Sequence, residues 1–192
     1  MLTQTTSFLS RQEYLEQERS AELRCEYHDG QIFAMAGASR NHNRIVTNIS
    51  SSLNIQLKSR PCNNYSNDMR IGIQGGKRYV YPDIIVTCGR EEFEDESQDT
   101  LLNPIVIIEV LSATTEAYDR GTKFLYYQTI ASLQEYVLVS QEKKCFEIYR
   151  KQNDGSWLYR ALQSPPIELE LQSIACMLTA AEVYAKVGEE NA

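Results

Sequence analysis

The chain has 192 residues, 42% of them hydrophobic and 23% charged, with a formal net charge of −7. That size and balance suit a soluble globular domain able to bury a core, no run approaches the roughly 18 apolar residues of a membrane span, and the broad basic stripe usual in nucleic-acid binders is absent. The first twenty residues lack a basic segment followed by an apolar stretch, so no secretory signal is expected and the cytoplasm is the expected compartment.

Ser10, with Glu13 three residues on, forms a capping box, and Tyr14, Leu15 and Ala21 add a modest apolar stripe; a helix to about Glu22 is expected. In CEYHDGQIFAMAGAS (25–39), Asp29–Gly30 is a tight-turn signal with Ile32, Ala34 and Ala36 alternating behind it, which predicts a hairpin. Ser39 is placed to cap a second helix, where Ile45, Ile49, Leu53 and Leu57 recur at helical spacing until Pro61. Met69, Ile71 and Ile73 alternate in one expected strand. YVYPDIIVTC (79–88) is a second, with Asp83 near its entrance.

GREEFEDESQDT (89–100) is acidic and polar, a surface loop by composition. Residues 105–111 are the most β-branched run and the best candidate for a central strand. TTEAYDRGTKFLYYQTI (114–130) predicts a helix capped at Thr114 or Thr115, weakened by about 1 kcal/mol at Gly121. EYVLVS (135–140) and CFEIYRK (145–151) predict a hairpin around QEKK, SWLYRAL (156–162) a further strand, and SIACMLTAAEVYAKV (173–187) a terminal helix beginning at Ser173. The basic runs KSR (58–60), GGKR (75–78) and EKKCFEIYRK (142–151) read as solvated faces or hairpin turns. Five cysteines, scattered singly with no C-x-x-C pair, read as reduced thiols rather than a zinc site or a disulfide framework. No repeat or linker divides the chain, so residues 1–192 are read as one domain.

The stretch NPIVIIEVLS (103–112) leaves no polar face except Glu109. Burying an unpaired carboxylate costs several kcal/mol or keeps it protonated, so this glutamate needs a partner or a purpose. Asp83 likewise enters an apolar strand. If the two strands are neighbours, the carboxylates converge, and a hard cation such as Mg²⁺ is held by one or two carboxylates with waters and phosphate oxygens. The Val110 carbonyl offers a further oxygen. Such an ion acidifies a bound water and neutralises phosphate charge, as phosphodiester hydrolysis needs. Two alternatives stay open at this stage: an Asp after a proline is a common turn or cap residue, and Glu109 could be paired with a lysine or arginine.

Pro82–Asp83, followed after a loop by IEVLS (108–112), resembles the signature of the PD-(D/E)XK nuclease superfamily, the restriction-endonuclease-like fold. More narrowly, the chain resembles the Uma-two family of endonucleases over nearly its whole length. The matching blocks are EYHDGQIFAMAGASRNHNRI (26–45), SNDMRI (66–71), YPDIIVTC (81–88), IEVLSATTEAYDRGTKFLYYQ (108–128) and LQEYVLVSQ (133–141). The short signature is weakly specific; the ordered set of blocks is specific. The resemblance implies an α/β (α+β) fold, with a restriction-endonuclease-like core in which a mixed β-sheet is flanked by helices. It also implies a metal-dependent endonuclease that hydrolyses DNA, with Mg²⁺ or Mn²⁺ held by Asp83, Glu109 and the Val110 carbonyl.

One departure follows. The signature lysine would fall at position 111, where this chain has Leu111. The resemblance transfers that role to Lys123, whose alternative is an i,i+4 surface pair with Asp119. Glu26 is implied as a supporting carboxylate, although it lies just past the first helix rather than inside it. Gln128 would help shape the site or merely face solvent, and His42 would contact a phosphate or be satisfied by solvent. Asp68 is an exposed strand residue or a third carboxylate near the metal. Cutting both strands needs two sites, hence an expected homodimer. The rival reading, favoured by the acidic charge, is a catalytically silent member of the fold that binds nucleic acid or protein.

Overall fold

The computed structural model describes residues 3–5 and 8–188. After β1 (Thr3–Thr5), the capping box forms as expected. The Ser10 hydroxyl accepts from the Glu13 N–H and the Glu13 carboxylate takes the Ser10 N–H, which starts α1 (Arg11–Ser20). β2 (Cys25–His28) and β3 (Gln31–Ala34) make the predicted hairpin. Asp29 and Gly30 between them have φ of 47° and 98°, the left-handed pair that a two-residue turn of this twist requires.

α2 (Arg40–Leu57) begins where Ser39 accepts from the His42 N–H, and it buries Ile45, Val46, Ile49, Leu53 and Leu57 along one stripe. Each such burial stabilises by about 1.5–3 kcal/mol relative to exposure, which fixes the helix on the sheet beneath it. Four strands then replace the two expected: β4 (Cys62–Ser66), β5 (Arg70–Ile73), β6 (Arg78–Val80) and β7 (Ile84–Cys88). Left-handed backbone at Asn67 and at Gln74–Gly75–Gly76 turns the chain between them. Pro82 has no N–H for a ladder, and it splits YVYPDIIVTC so that β6 and β7 lie in different sheets.

The acidic stretch before β8 (Thr100–Leu101) is a loop, but a pinned one. Arg11 pairs with Glu94, Arg19 with Asp95 at 2.7 Å and Asp99 at 2.8 Å, and Arg70 with Asp99 at 2.9 Å. β9 (Val106–Leu111) follows, buried along its whole length. The expected helix over 114–130 forms as one shorter run over 116–127, in which a π turn at Asp119–Lys123 separates α3 (Glu116–Tyr118) from α4 (Phe124–Tyr127). β10 (Glu135–Ser140), β11 (Phe146–Lys151) and β12 (Trp157–Leu162) form the predicted antiparallel run.

The tail corrects the expectation of one helix. It consists of β13 (Glu168–Leu171), a 3₁₀ turn, β14 (Cys176–Thr179) and the single turn α5 (Ala180–Val183). Leu169, Leu171, Cys176 and Leu178 are buried at alternate positions, the period of a strand and not of a helix. Glu135 accepts from the N–H groups of Gln172 and Ser173 and from the Ser173 hydroxyl, and Ala175 then turns the chain at φ 47°. The helical cap is Thr179 with Glu182, not Ser173.

One six-stranded sheet runs β1-β3-β2-β6-β5-β8, a second β12-β11-β10-β9-β7-β4, and β13-β14 pair separately. In the second sheet β9 and β10 are parallel and the other pairs antiparallel, so the sheet is mixed. Val106, Ile108 and Val110 pack with the α2 stripe, while Ile107 and Leu111 pack with Phe124 and Tyr127 on the opposite face. The architecture is therefore α+β, a mixed sheet flanked by helices.

The cysteine expectation fails at two positions. Cys62 and Cys88 stand opposite each other in the β4–β7 register, with Cα atoms 4.0 Å apart, and are joined as a disulfide. Cys25, Cys145 and Cys176 are free. Spacing in the sequence hides the pair because strand register alone makes it. Among the described residues no helix is long and apolar enough to cross a membrane.

Candidate active site

Glu109 shares a sheet face with Ile107 and Leu111, since side chains two apart in a strand point the same way. That face is covered by the helical segment 116–127. Its π turn directs Asp119 and Lys123 inward, and both are buried; single π turns inside helices occur often at functional sites. Lys123 Nζ lies 2.8 Å from Glu109 Oε1, 3.5 Å from Glu26 Oε1 and 3.7 Å from Asp119 Oδ1. The Asp119–Lys123 pair is thus real but buried, not the surface pair that spacing suggested. Tyr127, one further turn along, donates its hydroxyl to Glu109 Oε1 at 2.7 Å. Glu109 Oε2 accepts no hydrogen bond among the described residues.

Asp83 owes its place to Pro82. The β7–β9 register ends at Ile84↔Ile108, so Val110 faces the position where Pro82 would continue β7. A proline has no N–H to give, and the chain has left the sheet there. The Asp83 carboxylate fills the gap, accepting from the Val110 N–H at 2.7 Å through Oδ2. Its Oδ1 lies 3.0 Å from His42 Nε2, at the start of α2. The Val110 carbonyl, on the same edge of β9 as its N–H, faces the same corner and favours the charged form of His42. Burial would lower the His42 pKa, but the Asp83 carboxylate outweighs it and holds the imidazole above its ordinary value.

Glu26 comes from β2, not from a helix. Its Oε1 accepts from the Tyr81 N–H, and its Oε2 meets His28 and the Tyr118 hydroxyl, each at 3.3 Å. The candidate site therefore sits at the seam where the chain crosses from one sheet to the other. Burial raises carboxylate pKa values, and the groups diverge according to their neighbours. Glu26 is held low because Lys123 and His28 outweigh its burial, whereas burial wins at Glu109 and Asp119 and raises both. Burial also opposes the Lys123 charge, yet Glu109 and the other nearby groups hold its pKa well above the usual value.

These residues open onto a cleft of about 1020 Å³. Among the described residues, no three His, Cys, Asp or Glu side chains form a ready-made metal cage. A Mg²⁺-like ion does not need one, because it keeps several waters and takes one or two carboxylates plus substrate oxygens. Each Asp83 oxygen retains a lone pair beyond its single donor, Glu109 Oε2 accepts no hydrogen bond among the described residues, and the Val110 carbonyl lies beside them. This all-oxygen donor set fits a hard divalent cation.

Of the residues singled out by sequence, Glu26, His42, Asp83, Glu109, Val110 and Lys123 all line the cleft. His42 serves Asp83 directly. Asp68 is on the rim, exposed, 3.7 Å from Arg24. Gln128 ends α4 outside the cleft lining, its N–H bonded to the Phe124 carbonyl. Sequence reasoning missed Asp119, Tyr127, Tyr118 and His28 as site residues. The positions 119, 123 and 127 recur every four residues on one face and carried the available signal for the first two.

The chain matches the Uma2 family, described as "Putative restriction endonuclease", over residues 11–181. It is 38% identical to "Uncharacterized protein sll1609" of Synechocystis sp. across 88% of this chain and 96% of that protein. It is also 38% identical to "Uncharacterized protein slr1290" of the same organism, across 92% of this chain and 91% of the relative. A crystal structure of "a putative nuclease belonging to DUF820" from Anabaena variabilis superposes with a TM-score of 0.75. That match covers 92% of this chain and 97% of the other at 20% identity, so the two share a fold.

Proposed function

The chain belongs to the Uma2 family, and from that premise we propose that the cleft hydrolyses phosphodiester bonds of DNA with a divalent cation held at Asp83, Glu109 and the Val110 carbonyl. The observation that carries the reading is the convergence of Asp83, Glu109 and Lys123 at the seam between the sheets. Bound Mg²⁺ or Mn²⁺ would supply a water acidified for attack and a counter-charge for the scissile phosphate. The chain's own groups do the rest. Val110 N–H and His42 fix the Asp83 carboxylate, Tyr127 orients Glu109, and Glu26 and Asp119 hold Lys123 charged where it can steady the phosphate or position the water. Cutting both strands would require two clefts, so a homodimer is part of the same proposal. A cytoplasmic location is part of it too; the Cys62–Cys88 bond weighs against that element, because disulfides are rare in reducing compartments.

Cleavage of plasmid DNA in the presence and absence of Mg²⁺ tests the reading, with Asp83→Ala and Glu109→Ala as controls. Metal-dependent cutting that both substitutions abolish supports it. One observation favours a second reading, a silent fold that binds without cutting: Lys123 already neutralises Glu109 at 2.8 Å. DNA binding without cleavage at any metal concentration would favour that reading.

A further inference from the structure

The floor of the cleft is acidic. Glu26, Asp83, Glu109 and Asp119 face one ammonium, Lys123, in a chain of net charge −7. A phosphate backbone approaching such a floor is repelled, and one divalent ion offsets only part of the excess. Cations on the cleft walls must supply the attraction, because phosphate contacts dominate nucleic-acid affinity.

Four lysine and arginine side chains line the cleft: Arg120, Lys123, Lys143 and Lys144. Arg120 is committed to Glu116 and Glu147, and Lys123 to the floor. Lys143 and Lys144 are exposed, and neither has a carboxylate within ion-pair reach among the described residues. They belong to the β10–β11 turn, which also carries the opposing charge of Glu142. That turn is anchored at Gln141, whose amide nitrogen donates to the Leu111 carbonyl and whose Oε1 accepts from the Ser39 hydroxyl, each at 2.6 Å. Leu111 ends the strand that carries Glu109, and Ser39 caps the helix that brings His42 to Asp83. The two free cations are therefore tied to the elements that build the floor.

We propose that Lys143 and Lys144 form a grip for DNA-backbone phosphates flanking the scissile one. The proposal rests on the nuclease reading of the cleft. It assigns the turn binding without chemistry: the ammonium groups act as point charges on phosphates, and they carry no sequence preference.

The test is fluorescence anisotropy of a labelled DNA duplex titrated with the full chain over a salt series, with Ca²⁺ present. The proteins compared are the native chain, K143A/K144A, K143R/K144R and K58A. Each phosphate contact contributes about 0.9 to the slope of log affinity against log salt, so K143A/K144A should flatten the slope by about 1.8. K143R/K144R should retain the native slope. K58A should retain it too, because Lys58 follows the far end of α2, roughly 28 Å from Ser39 by helical rise. An unchanged slope in K143A/K144A overturns the grip while leaving the nuclease reading standing. Equal flattening in K58A overturns it in favour of diffuse attraction. A native chain that neither binds nor cuts the duplex overturns both.

Discussion

Lys123 Nζ stands 2.8 Å from Glu109 Oε1, and the two residues are 5% and 4% exposed. A lysine thus reaches the central-strand carboxylate from the helical segment above it, as the proposed function requires of Lys123. Leu111 itself is buried in the apolar cluster on the same face.

Breaking a buried pair by removing one partner is costly, because the other charge is left uncompensated. Lys123→Met should lower stability to urea by roughly 3–5 kcal/mol. Adding Glu109→Gln to it should cost far less than the sum of the two single changes, with a coupling of at least about 1 kcal/mol. Strict additivity would show that the two groups do not interact in solution.

Under the proposed function, His42 acts through Asp83, which its Nε2 meets at 3.0 Å. Outer-shell partners of metal-binding carboxylates typically matter by 10–100-fold in metal affinity or activity. His42→Ala should weaken Mn²⁺ binding by about that factor in calorimetric titration, with the melting curve of the metal-free protein little changed. Unaltered Mn²⁺ affinity would remove His42 from the site.

The pinned acidic loop makes a pH prediction. Burial raises the Asp99 pKa, but Arg19 and Arg70 outweigh it and hold the carboxyl at about 2, against 3.8 for an ordinary Asp. A depressed folded-state value stabilises the fold above pH 3.8 and loses that contribution as the pH falls through about 2. Native protein should therefore exceed Asp99→Asn in stability at neutral pH, and the gap should close across that window in acid denaturation curves. A constant gap would mean that the Asp99 charge contributes nothing.

The Cys62–Cys88 bond closes a loop with a sequence separation of 26. Chain entropy for a loop of that length stabilises by roughly 3.5 kcal/mol, so Cys62→Ser/Cys88→Ser should unfold at correspondingly lower denaturant. Thiol titration of the denatured, unreduced protein should find three reactive groups, Cys25, Cys145 and Cys176. Five would mean that the bond is absent.

Much of the core was legible in the sequence. The Ser10 and Ser39 caps, the Asp29–Gly30 turn and the apolar run 105–111 are local signals, and each produced its element. Asp83 and Glu109 stood out because carboxylates are out of place in apolar strands. What stayed hidden depends on tertiary placement. YVYPDIIVTC read as one strand, and only the sheet topology makes Pro82 a crossover that takes residue 82 out of the ladder opposite Val110. The tail has a tolerable helical pattern, and Glu135, about 37 residues earlier in the chain, pulls it into a hairpin instead. The disulfide required the β4–β7 register. Asp119 read as the surface partner of Lys123 until the π turn carried both inward.

Anomalous diffraction from crystals soaked in Mn²⁺ tests the central claim most directly. The account predicts a single strong peak in the cleft, with the Asp83 and Glu109 carboxylates and the Val110 carbonyl as its protein ligands. Mn²⁺-soaked crystals with no peak there, and with Lys123 still against Glu109, would contradict it.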